Sequence, residues 1–293
     1  MILKKQIAII GGDARYLELI KKLISKSNYT IKLIGYDQLD QGFLGVQYTD
    51  LDELNPEILD VVILPITGVE NEGYVKSTFS NQAIYLPENF FEKLKPTSLV
   101  FSGISTPYLK QALADKLNTF IPMMERDDVA IYNSVPTAEG TILLALQQMQ
   151  TTLQDSNVVI LGLGRVGLTV ADKFAKLGAK VATGVRKTKD IAKAKTLGFD
   201  GFHLSELPAY IKKCNLLINT VPALIVDQEE LNAFSADALI IDLASKPGGI
   251  NFDYAKKRGL NAIHALGLPA KVAPKTAGEI LANVINQLIA EHH

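Results

Sequence analysis

Along the whole chain, short apolar runs of strand length alternate with longer amphipathic stretches, the pattern of βαβ units around a parallel sheet. In the first half, residues 6–10, 30–35, 61–65 and 98–102 read as buried strands, with a helix over 15–25. Three of these strands end in small or turn-forming segments: Gly11-Gly12-Asp13, Pro65-Ile66-Thr67-Gly68 and Ser102-Gly103-Ile104-Ser105. Open α/β sheets bind ligands beyond the carboxyl ends of their strands. Asp13, Thr67, Ser102 and Gly103 are therefore expected to line a substrate site.

The second half repeats the alternation, with strands predicted over 157–161, 180–185, 216–220, 238–243 and 261–263 and a helix over 166–177. Between the halves, the segment from Asn133 to Gly140 leads into a helical run to about residue 150, with Thr137 as its candidate cap. A last helix over 276–291 leaves the second sheet and is expected to pack back on the first domain. The expected fold is α/β: two Rossmann-like three-layer domains with parallel sheets, joined by a long connecting helix. The first domain spans 1–150 plus the helix at 276–291, and the second spans 151–275.

Composition narrows this picture. A length of 293 residues suits two domains at about 150 residues each. With 47% hydrophobic residues, 21% charged residues and a net charge of −1, the chain can fill packed cores, and nothing points to nucleic acid or an anionic membrane. The single cysteine, Cys214, lies in an apolar run and reads as a small core residue, with a reactive thiol as the alternative. Residues 1–10 are too short for a signal peptide, and no apolar run approaches the ~20 residues of a membrane span. A cytoplasmic protein is expected. His292 and His293 are given no function.

The clearest motif is Gly162-Leu163-Gly164-Arg165-Val166-Gly167. It follows an apolar strand and opens an amphipathic helix within a βαβ unit, as a dinucleotide fingerprint requires. Gly162 permits the tight turn, Gly164 the approach of a pyrophosphate, and Gly167 close helix–strand contact, while the helix start offers N–H groups to phosphate. A ligand-free glycine turn is the alternative. NAD sites place an acidic residue about twenty positions after the glycines. Here that place holds Val185, followed by Arg186 and Lys187. Two cations suit the 2′-phosphate of NADP, so NADP is expected over NAD unless the pair is only a solvated turn. Thr220, Val221 and Pro222 follow the fourth strand where a nicotinamide ribose passes, or form a simple proline turn. The loop Asp242-Leu243-Ala244-Ser245-Lys246-Pro247-Gly248-Gly249 lies at the same edge.

Candidate acid/base groups are few. His264 ends the last strand and is the better-placed histidine, with a buried structural role as the alternative, and His203 reads as structural. No spacing suits a metal, and no G-x-S-x-G elbow is present. The cations on carboxyl-edge loops are Arg15, Arg126, Lys246, Lys271 and Lys275. Each alone reads as a solvated side chain, whereas several converging on one cleft would suit a dicarboxylate. Ser134 joins Arg15 and Arg126 in the expected substrate-binding set.

The residues resemble a known family. Ile9-Ile10-Gly11-Gly12-Asp13-Ala14-Arg15, Gly35-Tyr36-Asp37-Gln38-Leu39-Asp40 with Gly42-Phe43, Phe101-Ser102-Gly103-Ile104-Ser105, Glu125-Arg126-Asp127-Asp128, Ala130-Ile131-Tyr132-Asn133-Ser134, Asp242-Leu243-Ala244-Ser245 and Ala273-Pro274-Lys275-Thr276-Ala277-Gly278 are similar to the A-subunits of dipicolinate synthase. That resemblance covers essentially the whole chain. It implies formation of dipicolinate from a dihydro- or 4-hydroxy-tetrahydrodipicolinate precursor, a branch of the lysine pathway, in the mother cell of a sporulating bacterium. The partner it implies is a flavoprotein-like B-subunit, and a homo-oligomer is expected. A two-electron oxidation forming an aromatic ring agrees with NADP as hydride acceptor. The alternative is a non-catalytic polypeptide that binds nucleotide and substrate and presents the substrate to the B-subunit.

The architecture is also similar to the D-2-hydroxyacid dehydrogenases. That family uses an arginine after the fifth strand and a histidine in a Pro-His segment. Here Ser245-Lys246 and Ala273-Pro274-Lys275 stand in those places. A lysine of ordinary basicity is a poor base at neutral pH, so Lys246 and Lys275 are expected to hold substrate or cofactor charge. With His264 they form the candidate catalytic set.

Overall fold

The computed structural model describes residues 4–26, 28–115 and 120–292. Two compact units emerge, one of residues 1–130 with 274–293 and the other of residues 131–273.

The first unit opens with β1 (Lys5–Ile10), α1 (Ala14–Ile24), β2 (Tyr29–Ile34), β3 (Val46–Tyr48) and β4 (Val61–Ile63). A small antiparallel pair follows, β5 (Tyr74–Val75) with β6 (Ile84–Tyr85), and then β7 (Leu99–Ser102), α2 (Pro107–Ala112) and β8 (Phe120–Pro122). Among the described residues the main sheet has six strands in the order β3-β2-β1-β4-β7-β8, every pair parallel. Side chains alternate across a strand. On β1, Ile7 and Ile9 enter one core while Ala8 and Ile10 enter the other. Both faces of the sheet are thus covered, the condition for an all-parallel sheet.

Helix α3 (Asp127–Gln148) leads to the second unit: β9 (Asn157–Leu161), α4 (Arg165–Lys176), β10 (Lys180–Val185), α5 (Thr188–Thr196), β11 (Asp200–His203), α6 (Leu207–Ile211), β12 (Leu216–Asn219), α7 (Gln228–Asn232), β13 (Leu239–Asp242), α8 (Phe252–Lys257), β14 (Asn261–His264) and α9 (Leu268–Val272). Its sheet, again parallel, runs β11-β10-β9-β12-β13-β14. The two sheets share one plan: the first strand of each is central, and strand order reverses beside it. That reversal is the switch point where ligands bind in such sheets.

The terminal helix α10 (Pro274–Glu291) belongs to the first unit and lies along α1. A Cβ on Gly278 would fall 2.1 Å from the Arg15 carbonyl oxygen, so only glycine permits this approach. Lys22 pairs with Glu279 at 3.2 Å, and Leu281, Ile285 and Leu288 are buried with Leu19 and Leu23.

Three expectations change. The connecting helix starts at Asp127 rather than after a cap at Thr137, and Pro136 lies inside it. Thr137 donates back to the Asn133 carbonyl at 2.7 Å, a bond made within a helix and not at its start. The units divide at residue 130/131 rather than near 150, because Ala138 and Ala145 of α3 lie in the second unit's core. The return falls at 273/274, which moves Lys275 into the first unit. Finally, among the described residues α3 is long and apolar enough to cross a membrane by length and composition. Asn133, Ser134, Pro136 and Thr137 interrupt its apolar run in the sequence, which is why a search for unbroken runs passes over it.

Candidate functional site

The glycine turn of the second unit divides into two kinds of glycine. Gly162 has φ +91°, and a Cβ there would meet Thr220 Oγ1 at 2.7 Å and Val221 Cγ2 at 2.8 Å. A Cβ on Gly167 would lie 2.2 Å from the Gly162 carbonyl oxygen. The chain's own packing demands both. Gly164 differs: a Cβ there would meet nothing within 4 Å. It stands at the start of α4 with no side-chain cap, facing open space at the positive end of the helix. Glycine suits the N-cap of α4, but no packing contact demands it there, whereas a diphosphate approaching the backbone would. The turn fits the group.

The rest of this edge is tightly built. Thr220 donates to the Leu161 carbonyl at 2.8 Å, fixing the turn after β12 against the end of β9. Val221 is half-buried and Pro222 exposed. Val166 packs on the core and Arg165 is exposed. Val185 is buried at the end of β10, and Arg186 and Lys187 follow it in solvent, Lys187 at the start of α5. Lys246 is exposed on the loop after β13. His264 has its Nε2 2.9 Å from the Ala244 carbonyl and its ring stacked on Phe252. A carbonyl only accepts, so Nε2 carries the proton, and Nδ1 is the one nitrogen left for chemistry. His203 is exposed and caps the turn after β11.

The equivalent turn of the first unit is closed by the chain itself. Gly12 donates to the Lys76 carbonyl at 3.1 Å and accepts from the Thr78 N–H at 2.9 Å, so residues 76–78 run as a strap across it. A Cβ on Gly11 would lie 2.5 Å from the Lys76 carbonyl oxygen, and one on Gly12 would lie 2.5 Å from the Tyr16 ring. Asp13 caps the start of α1. Its carboxylate accepts from the Arg15 N–H at 3.1 Å and from the Arg15 guanidinium at 2.9 and 2.5 Å. Burial acts to raise the Asp13 carboxyl, but the Arg15 hydrogen bonds and charge, with Lys76 beyond them, hold it below the usual carboxylate range.

The remaining first-unit candidates separate. Gly103 donates to the Pro65 carbonyl at 3.1 Å and accepts from the Met124 N–H at 2.8 Å, tying together the loops that carry Thr67, Ser102 and Arg126. Thr67 is exposed, whereas Ser102 is buried with its hydroxyl 3.0 Å from the Ile104 carbonyl, so it fixes the loop and does not line an opening. Arg126 is held by Asp128 at 2.8 and 3.0 Å. Lys275 is exposed in the first turn of α10, three residues before the glycine that touches Arg15. Ser134 does not join this group: it is buried in the second unit, its hydroxyl between the Ile131 carbonyl and Thr169 of α4.

Two features were not singled out from the sequence. One is the 76–78 strap, for which the sequence carries no signal. The other is the pairing of Asn219 with Asp242, buried at the ends of β12 and β13; Asp242 was named only as the head of its loop. The signal for that pair was present, since each is the polar end of an otherwise apolar strand. Among the described residues, no group of three or more His, Cys, Asp or Glu side chains could hold a metal ion.

Comparison with known proteins agrees with this division. Residues 6–124 match the family of the dipicolinate synthase A-subunit N-terminal domain. Residues 133–246 match the NAD binding domain of the D-isomer specific 2-hydroxyacid dehydrogenases. The second unit is thus a nicotinamide-dinucleotide-binding domain of the oxidoreductase type. The chain is 45% identical over 291 residues to the dipicolinate synthase A-subunit of Bacillus subtilis (strain 168), covering 99% of this chain and 98% of that one. Its fold is similar to the crystal structure of the A-subunit from Bacillus halodurans, with a TM-score of 0.94, 47% identity and 99% of each chain covered. It is likewise similar to the crystal structure of the Bacillus subtilis protein, with a TM-score of 0.95, 44% identity, and 100% of this chain and 98% of that one covered. At 45% identity over 99% of its length to one member, with the matching N-terminal domain, this chain belongs to the family of dipicolinate synthase A-subunits.

Proposed function

We propose that this chain is the A-subunit of a dipicolinate synthase that oxidises a dihydro- or 4-hydroxy-tetrahydrodipicolinate precursor with NADP, in partnership with a flavoprotein-like B-subunit. The observation that carries the reading is the contrast between the two turns. Gly164 faces open space at the head of α4, while Gly11 and Gly12 are covered by their own chain. Nucleotide binding then falls to the second unit, and the first unit is left for substrate.

Arg186 and Lys187 support NADP, because they stand in solvent where an NAD site carries a carboxylate. In the first unit, exposed Lys275 and the remaining N–H groups of Arg15 and Arg126, whose charges are already paired with Asp13 and Asp128, would receive the two carboxylates, with Thr67 on the same edge. Lys246 supplies a further cation beside the nicotinamide end. For a dihydro precursor, aromatisation removes one hydride and one proton; a 4-hydroxy-tetrahydro precursor first loses water to reach that same oxidation. Held at the glycine turn of the second unit, an oxidised nicotinamide would supply the hydride acceptor, and the proton would pass to a base or to water. His264 Nδ1 is a candidate for that base.

A second reading has this chain binding nucleotide and substrate while the B-subunit completes the chemistry. One observation favours it: His264 Nε2 is committed to the Ala244 carbonyl, which leaves few groups for acid/base work. Reduction of NADP followed at 340 nm, with purified chain and precursor and no B-subunit, separates the two. Turnover by the chain alone supports the oxidoreductase reading, and a strict need for B supports the second. Titration with NADPH and NADH tests the nucleotide. At least tenfold tighter NADPH binding is expected, and the reverse preference overturns the assignment to NADP.

A further inference from the structure

Buried polar atoms without a hydrogen-bond partner are rare in folded proteins, because leaving the bond unmade is unfavourable. Among the described residues two side-chain atoms are in this state, Thr183 Oγ1 and Asn133 Oδ1. Thr183 is 0% exposed in the middle of β10, with Ile160 and Gly201 as its neighbours across the sheet, and no ligand reaches it. Asn133 differs. It is half-buried near the start of α3, with its side-chain oxygen enclosed and the residue still open to a ligand.

The neighbours of α3 place that amide. Ser134 bonds Thr169 at 2.7 Å and Glu139 pairs with Lys173 at 3.2 Å, so one flank of α3 lies on α4. A Cβ on Gly140 would stand 3.0 Å from Leu268, so the other flank lies on α9. At about 100° per residue, Asn133 falls within about 20° of Gly140, on the α9 flank, and about two turns nearer the start of the helix. The Ser134–Thr169 bond fixes that start beside the opening turns of α4, at the carboxyl edge of the second sheet. Asn133 thus stands on the side of β12, β13 and β14, away from Arg186 and Lys187 at the end of β10. In a dinucleotide-binding sheet that second half receives the nicotinamide.

We propose that Asn133 is held ready for the carboxamide of the nicotinamide. Its Oδ1 accepts from the carboxamide N–H, and its own N–H donates to the carboxamide oxygen. Two primary amides complement each other in this way, each supplying a donor and an acceptor. The inference rests on the glycine turn being the nucleotide site. An enclosed acceptor that its own fold leaves unpaired destabilises the free protein, and the missing bond forms only in the complex.

The test compares NADPH with 2′-phospho-ADP-ribose, the same molecule without its nicotinamide, on the full chain. Wild type is expected to bind NADPH about tenfold more tightly or better. Asn133→Leu keeps the side chain's size and removes its polar atoms. It should bind 2′-phospho-ADP-ribose as wild type does and NADPH about tenfold more weakly than wild type, the effect of one or two hydrogen bonds. Without nucleotide, N133L should melt no lower than wild type, since its fold loses no bond. Thr183→Val removes the other unpaired atom and should leave both affinities unchanged. A melting temperature several degrees lower for N133L marks a structural asparagine and overturns the proposal. Equal weakening of both nucleotides overturns it too, as does a wild type indifferent to the nicotinamide. A change confined to the apparent KM for the precursor, with NADPH binding intact, assigns the amide to substrate and equally overturns it. A wild type that binds neither nucleotide defeats the reading of the glycine turn and this inference with it. Tight NADPH binding by wild type and N133L alike defeats this inference alone.

Discussion

Asn219 donates from its side-chain amide to Asp242 at 2.7 Å, and both residues are fully buried. The contact joins the ends of β12 and β13. Asp242 also accepts from the Ala244 N–H at 3.0 Å and the Gly249 N–H at 2.7 Å, while Asn219 accepts from the Val221 N–H at 3.1 Å. One carboxylate thus organises both loops beside the proposed nicotinamide position. Asp242→Ala leaves three buried donors unpaired. It is expected to destabilise the protein by about 3 kcal/mol, read as the shift in a urea midpoint, and to weaken dinucleotide binding. A midpoint within experimental error of wild type would remove this organising role.

The glycines of the turn should respond to substitution in opposite ways. Gly167→Ala sets a methyl 2.2 Å from a backbone oxygen and is expected to cost about 1–3 kcal/mol of stability. Gly164→Ala meets nothing and should leave stability within about 0.5 kcal/mol while weakening dinucleotide binding at least tenfold. Thermal melts and fluorescence titrations of the two variants give both numbers.

Selectivity at the adenosine end should respond to charge. Replacing Arg186 and Lys187 together with serine is expected to weaken NADPH binding about tenfold or more and to leave NADH nearly unchanged, an effect that shrinks at high salt. Equal loss for both nucleotides would mean that the cations act on something other than the 2′-phosphate.

The Asp13–Arg15 pair predicts a pH dependence with a definite sign. The Asp13 carboxyl is depressed in the folded protein. Its contribution to stability is therefore complete above the unfolded value near pH 4 and is lost as the pH falls through the lower folded value. Melting temperatures of wild type and Asp13→Asn should differ most at pH 6 and converge toward pH 2. A gap that widens on acidification contradicts the pairing.

Burial pushes the Cys214 thiol up to about 12, even though backbone hydrogen bonds from Val159 and Leu216 work against it. The native protein should resist iodoacetamide at pH 8 and react stoichiometrically once unfolded, as intact mass would show.

The sequence made five strands of the second unit, its fingerprint and the helix after it legible, but not β11 or the short helices α5 to α9. Strands β9, β12 and β13 are apolar runs because both their faces are buried, and the fingerprint sits at a strand end where Gly162 and Gly167 leave no room for a side chain. Edge elements were harder. β3 is a half-exposed Val-Gln-Tyr and β11 contains Gly201, so neither carries a run that periodicity would detect. Pro136 hid the first turns of α3, since a proline usually marks a helix boundary. The nucleotide turn could be read from local spacing, whereas Ser102 and Ser134 could not be judged that way. Whether a serine faces an opening or a carbonyl is decided by residues distant in sequence, such as Thr169 for Ser134.

The strap over Gly11 and Gly12 has a countable consequence. Two sheets drawn from one plan would offer two berths, yet the chain's own backbone is moored in the first. Calorimetric titration should therefore saturate at a single nucleotide per polypeptide, and any broader binding isotherm would have to come from how copies associate, not from a second berth within one chain.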